Sequence, residues 1–152
     1  MKLPPIEKLY EAYSVLADER IRIEGACAYV QSSDGTKEYE ILFDEASVSS
    51  NDNATYWQGY PGYPILALWM KLGILKTPSF ALDCFKNINW KKRNAAAKRN
   101  YAAVVEELLK EWCEKGIDTE TIVQETEVIY ASLQTLSYAI RRNTHKPVKL
   151  KP

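Results

Sequence analysis

Residues 26–44 read ACAYVQSSDGTKEYEILFD, and this stretch decides the fold. The first part, 26–31, reads as a strand. Further on, Tyr39, Ile41 and Phe43 alternate with Glu38, Glu40 and Asp44, the two-residue period of a strand with one buried face. Between the runs lies Asp34-Gly35, a hairpin signal, because a tight turn needs positive φ and glycine supplies it. Upstream, Ile21 and Ile23 alternate with Arg20, Arg22 and Glu24. Glu24-Gly25 then marks either another turn or a bulge in one bent strand. The pattern predicts an antiparallel meander over 20–44.

On both sides the period changes to that of helices. Pro4 and Pro5 suit a helix start, and Ile6, Leu9, Tyr10, Tyr13 and Leu16 follow at helical spacing to about Ala17-Asp18. After the meander, 47–53 is polar and rich in turn formers, and Thr55-Tyr56-Trp57 reads as a short strand. The run Gly59-Tyr60-Pro61-Gly62-Tyr63-Pro64 is a restricted loop; Pro64 opens a helix over 65–72, which Gly73 stops. Thr77 or Ser79 caps a short helix reaching Phe85. From 90 to 114 the apolar set Ala97, Tyr101, Val104, Val105, Leu108, Leu109 and Trp112 shares one face. Gly116 ends that helix, and Asp118 or Thr119 caps another whose stripe runs from Ile122 through Leu133 and Leu136 to Ile140. So short a break between two amphipathic helices implies an antiparallel αα-hairpin. The expected class is α+β: a small antiparallel β-meander packed with helices and a C-terminal helical hairpin. Residues 1–142 form one compact domain, and 143–152 a loose basic tail.

Bulk composition narrows the function classes. The chain has 152 residues, 20 Lys and Arg against 20 Asp and Glu, 46 % apolar and 26 % charged residues. These values exclude a disordered or collagen-like chain and a globally basic nucleic-acid binder. Cys27, Cys84 and Cys113 are odd in number and widely spaced, which argues against a disulfide framework and for a reducing compartment. No apolar run approaches the roughly 20 residues of a membrane span, and the N-terminus has no signal core. The expectation is a cytoplasmic protein with no membrane partner.

The order of elements in 28–72 resembles the ββα unit of SWIM zinc fingers: a strand, Ser33-Asp34-Gly35, the strand Lys37-Glu38-Tyr39-Glu40-Ile41-Leu42-Phe43, a polar stretch, a Gly-Tyr-Pro loop and the helix Ile65-Leu66-Ala67-Leu68-Trp69-Met70. In that family a C-x-C pair after the second strand and a C-x-H pair at the helix start hold one zinc. Here those places fall at Ser47-Val48-Ser49 and Gly62-Tyr63-Pro64, which supply none of the ligands a closed zinc site needs. The resemblance therefore implies a metal-free unit in which Trp57, Tyr60 and Tyr63 replace the metal as packing centre. It also implies DNA binding or protein interaction, without a catalytic residue.

The zero net charge is unevenly laid out. Eleven of the 20 cationic residues fall in two acid-free blocks, 86–101 and 141–151. The helical hairpin is expected to fold residue 141 back toward residue 95, joining the blocks into one basic pole. Lys91, Lys92, Lys98, Arg99, Arg141 and Arg142 are the candidates for phosphate contact, with Trp57, Tyr60 and Tyr63 as an aromatic recognition loop. Cations beside aromatic rings suit single-stranded nucleic acid, where bases stack on the rings. The plainer alternative is a solvated face whose cations complement helix C-termini.

Catalytic patterns are set aside one by one. His145 is the sole histidine and sits in the tail, so no nucleophile has a positioned imidazole base. Glu106, Glu107, Lys110, Glu111 and Glu114 form the wet face of a helix. Asp44-Glu45 with Asn51-Asp52-Asn53 lacks the spacing of a calcium loop. No cofactor motif is present. The sequence thus predicts a non-enzymatic interaction domain that contacts nucleic acid through the basic pole, with a protein partner expected. The alternative is a protein–protein or homodimer module built on the helical hairpin, without nucleic acid. A deep pocket with two or more convergent polar groups is the feature that would reopen the enzyme class.

Overall fold

The computed structural model describes residues 1–150. It is an α+β fold with a mixed sheet. The helices are α1 (Lys8–Ala17), α2 (Asn53–Gln58), α3 (Tyr63–Lys71), α4 (Trp90–Ala96), α5 (Tyr101–Glu114) and α6 (Thr119–Leu133). The strands are β1 (Ile21–Glu24), β2 (Cys27–Gln31), β3 (Lys37–Phe43), β4 (Ser47–Ser50), β5 (Ala139–Arg142) and β6 (Val148–Lys149).

The predicted meander is present as β1-β2-β3, antiparallel throughout, with Val30 opposite Tyr39 and Ala28 opposite Ile41. Gly25 and Gly35 hold positive φ in its two turns. The second turn is braced by Asp34, whose Oδ1 accepts from Ser32 Oγ, Thr36 N and Thr36 Oγ1. Ala28, Val30, Ile41 and Val48 form the inner face of the sheet. α1 and α3 pack on one another, and nearly every side of α1 is buried. Phe85, from a 3-10 turn at Asp83–Phe85, inserts between Tyr13 and Trp112, with ring centroids 5.2 and 4.8 Å away. A buried polar chain threads this region. Trp90 Nε1 donates to Ser14 Oγ, which donates to the Phe85 carbonyl, each at 2.8 Å. The chain satisfies groups whose isolation would cost more than their bonding returns. α5 and α6 pack together as the expected hairpin; Gly116 (φ 83) ends the first and Asp118 caps the second by accepting from Thr121 N.

The sheet is larger than predicted, and the differences have local causes. The polar stretch 47–50 is strand β4, which pairs with β3 despite three serines. Thr55, Tyr56 and Trp57 are helical, because the Asp52 carboxylate caps α2 at Thr55 N. The short helix expected up to Phe85 shrinks to the 3-10 turn, and Ser79 bonds the Glu125 carboxylate instead of capping it. The helix expected over 90–114 breaks at 97–100, where Lys98 and Arg99 take left-handed φ values of 52 and 64, and Asn100 caps a new helix. The last stripe also misleads: α6 stops at Leu133, and Ile140 pairs in parallel with Val48 as part of β5. Ile140 fits a helical stripe and a strand equally, and the open edge of β4 supplies the hydrogen bonds that choose the strand.

Residues 143–150, read above as a loose tail, are tied to the sheet, while 151–152 lie outside the described residues. β6 pairs with Lys37 and Glu38 of β3, end to end with β4 on the same side. Glu40 fastens this segment by accepting from Asn143 Nδ2 at 2.9 Å and meeting His145 Nδ1 at 2.7 Å. Those bonds, from Asn143 first and His145 second, hold the Glu40 carboxyl below its ordinary range. The stabilisation is present above the unfolded carboxylate pKa and is lost as pH falls through the lower folded value. Glu40→Gln is expected to cost about 1 kcal/mol at pH 7. In urea titrations the gap from wild type should close below the ordinary carboxylate range.

Candidate functional site

A cleft of about 820 Å³ lies between α1, α2, α4 and the β2–β3 hairpin. It forms because two chain features leave space unfilled. α2 is only six residues long and turns away at Gly59. The break at Lys98 and Arg99 tilts Arg99 and Tyr101 onto the cleft instead of continuing α4.

The floor is charged and buried. Lys8 Nζ lies 3.0 Å from Glu11 Oε2, with side-chain exposures of 7 % and 6 %. Asn94 Nδ2 donates to the other Glu11 oxygen at 3.3 Å, and Lys8 Nζ sits 3.9 Å above the Tyr101 ring centre. Burial pushes Lys8 down, but the Glu11 charge overcomes it and the ammonium is held above the usual lysine range. Burial also lifts Glu11 above the usual carboxylate range, by more than Lys8 and Asn94 lower it. Both shifts are upward: for the lysine the Glu11 charge outweighs burial, and for the carboxylate burial outweighs Lys8 and Asn94. Asp52, also buried, accepts from Ser50 Oγ and Thr55 N, and burial raises its carboxyl too.

Aromatic rings line much of the rest. Tyr39 and Tyr63 meet edge to face at 6.4 Å, and burial pushes the Tyr39 phenol up to about 12 and raises those of Tyr60 and Tyr63. These phenols are neutral hydrogen-bond donors at neutral pH. Trp57 stands at the rim, 68 % exposed. Such exposure overturns its expected place in a packing centre.

The candidate residues separate into groups. Lys91, Arg99, Trp57, Tyr60 and Tyr63 all line this one cleft. Lys92 and Lys98 are exposed on α4 and its C-terminal turn, outside the lining. Arg141 and Arg142 occupy β5 beside β4, so the hairpin does not carry them back to residue 95 as expected. Arg142 stacks over Tyr56 at 5.1 Å, and Tyr56 meets Trp57 at 4.8 Å. A line of cation and rings therefore runs from β5 across α2 to the cleft rim. Arg141 points to the opposite sheet face, toward Asp44.

Sequence reasoning missed Lys8, Glu11, Arg20, Lys37 and Tyr39. The available signal was the pair Lys8 and Glu11, spaced to meet on a helix whose other residues are strongly apolar. Five cations line the cleft; Lys8 is paired with Glu11, Arg20 with Asp18 and Lys91 with Asp34, which leaves Lys37 and Arg99 without an ion pair among the described residues. The cleft is thus polarised for an anion.

Residues 1–139 match the family described as "Uncharacterised conserved protein UCP014422". The chain belongs to that family. All the cleft-lining residues lie inside the matched span, and β5 lies almost entirely beyond it. No curated protein and no solved structure matches the chain.

Proposed function

We propose that this member of the family is a non-enzymatic interaction domain that takes single-stranded nucleic acid into the cleft. One observation carries the reading: Trp57, Tyr60 and Tyr63 share one concavity with Lys91 and Arg99. Stacking of a base on an aromatic ring is worth about 1–3 kcal/mol, and cations along the same path hold phosphates. A duplex keeps its base faces stacked inside, so the rings favour an unpaired strand. The Tyr56–Arg142 stack extends the path past the rim.

The cleft also holds convergent polar groups, the feature that would reopen an enzyme. Glu11 and Asp52 spend their oxygens on Lys8, Asn94, Ser50 and Thr55, an arrangement that suits binding better than proton transfer. The free thiols Cys27, Cys84 and Cys113 fit the reducing cytoplasm as its setting. No helix among the described residues is long and apolar enough to cross a membrane.

The test is fluorescence anisotropy of labelled single- and double-stranded oligonucleotides across a salt series. The expected result is micromolar-range binding of the single strand that weakens steeply with salt. Trp57→Ala should weaken it by about 5- to 150-fold, the equivalent of one lost stacking contact. Arg99→Glu should both weaken it and flatten the salt slope. Absence of binding at low salt overturns the reading and leaves the helical hairpin as the surface to pursue.

A further inference from the structure

We infer that the cleft recognises a nucleoside phosphomonoester, either the phosphorylated end of a strand or a free nucleotide, with the phosphate against the hairpin wall formed by Arg20, Ser32, Ser33, Lys37 and Lys91. The inference rests on the nucleic-acid reading above and narrows its ligand. The size of the cleft suits a single small ligand. A volume of about 820 Å³ falls in the range that encloses one small molecule, whereas grooves that track a strand engage several nucleotides at once. The buried Lys8–Glu11 pair is part of the lining.

The wall carries its own set of donors. It gathers three cations and two serine hydroxyls. Two acids stand beside it: Asp18 is paired with Arg20 at 3.0 Å, and Asp34 is already held by Ser32 and Thr36, with Lys91 Nζ 3.5 Å away. Burial works to raise Asp34, but those hydrogen bonds and the Lys91 charge leave it far below the usual carboxylate range. A phosphomonoester brings close to two negative charges and three strong acceptor oxygens, the chemistry this donor set lacks.

Arg20 is nine-tenths buried, its side chain 10 % exposed. Its Nε donates to Asp18 and its Nη1 to the Gln31 carbonyl, yet its Nη2 is buried with no acceptor among the described residues. A buried charged donor left unpaired is rare in folded proteins and calls for a missing acceptor. Arg20 lines both this cleft and a neighbouring hollow of about 460 Å³. An oxyanion on the wall would supply the acceptor.

The experiment is competition against a labelled single strand by tetranucleotides ending in 5′-phosphate, 3′-phosphate or hydroxyls only, with calorimetric titration of nucleoside monophosphates alongside. One phosphorylated end should compete at least tenfold better than the hydroxyl-ended strand. That advantage should collapse in Lys37→Ala/Lys91→Ala, whose altered side chains sit at the wall's accessible edge, and in Arg20→Lys. Equal competition by all three ends overturns the inference while the strand reading stands. If the labelled strand does not bind but nucleoside monophosphates do, with loss in the same variants, the strand reading fails and the phosphomonoester site stands. If neither binds, both fail.

Discussion

Lys8→Met is expected to lower stability by about 3–5 kcal/mol at pH 7, the cost of leaving a buried charge without its partner. Lys8 and Glu11 form a 3.0 Å pair shielded from solvent at the cleft floor. Methionine fills the lysine stem but leaves the Glu11 carboxylate with Asn94 alone. The pH dependence identifies the mechanism. Burial already raises the folded-state pKa of Glu11 above its ordinary value. The native state therefore takes up this proton at higher pH than the unfolded chain. The burial penalty is present in full above the folded pKa and is relieved as pH falls toward the unfolded one. Removing Lys8 raises the folded pKa further and widens that window upward. In urea titrations the deficit of Lys8→Met should be largest near pH 7 and shrink steadily into acid. Lys8→Met/Glu11→Gln should recover most of it, since a neutral amide needs no counter-ion. An equal deficit at pH 5 and pH 7, unrelieved by Glu11→Gln, would show that lost packing and not an unpaired carboxylate is responsible.

Gly62→Ala is expected to cost about 3 kcal/mol, combining overpacking with loss of a helix cap. Gly62 has ordinary backbone angles, so conformational freedom is not why glycine stands there. A Cβ at this position would fall well inside contact distance of Asp52 Oδ2, 3.0 Å from its Cγ and 3.1 Å from Thr55 Oγ1. Neither neighbour is free to yield. Asp52 Oδ2 caps α2 at Thr55 N, and Thr55 Oγ1 accepts from Gly62 N at 2.9 Å. Relieving the clash breaks this short circuit of bonds and releases α2, which carries Trp57. The variant should thus lose both stability and ligand affinity. Gly59→Ala is the control. Gly59 has φ 75 with open space around it, so its substitution costs about 1 kcal/mol of backbone strain. A Gly62→Ala chain as stable as the Gly59→Ala chain would refute the argument from close approach.

Much of the candidate site was legible as residue types and little of it as a place. Trp57, Tyr60, Tyr63, Lys91 and Arg99 stood out because rings in a Gly-Pro loop and cations without acids are unusual locally. Their convergence depends on α1 lying between the loop and α4, which no local pattern reports. Lys8 and Glu11 stayed hidden because a charged pair three residues apart on a helix normally marks a solvated face. Here the helix has almost no solvated face. The expected union of the two basic blocks failed for a related reason. It assumed that α6 continues to residue 140, and a continuous helix would have carried Arg141 toward α4.

The antiparallel pattern over 20–44, the helices α1 and α3 and the stops at Gly73 and Gly116 were legible in the residues alone, while the choice of Asp118 over Thr119 as cap and of a turn over a bulge at Glu24-Gly25 came from the structure. In the legible elements the deciding physics is local: a period of two or 3.6, or a glycine where φ is positive. Long-range packing makes 139–142 a strand, breaks the helix at 97–100, brings 47–50 into the sheet and opens a cleft between α1, α2 and α4. At these places the local preferences are nearly balanced, worth a few tenths of a kcal/mol per residue. Hydrogen bonds along the open edge of β4, and the burial of Val48 and Ile140 against distant helices, then outweigh them.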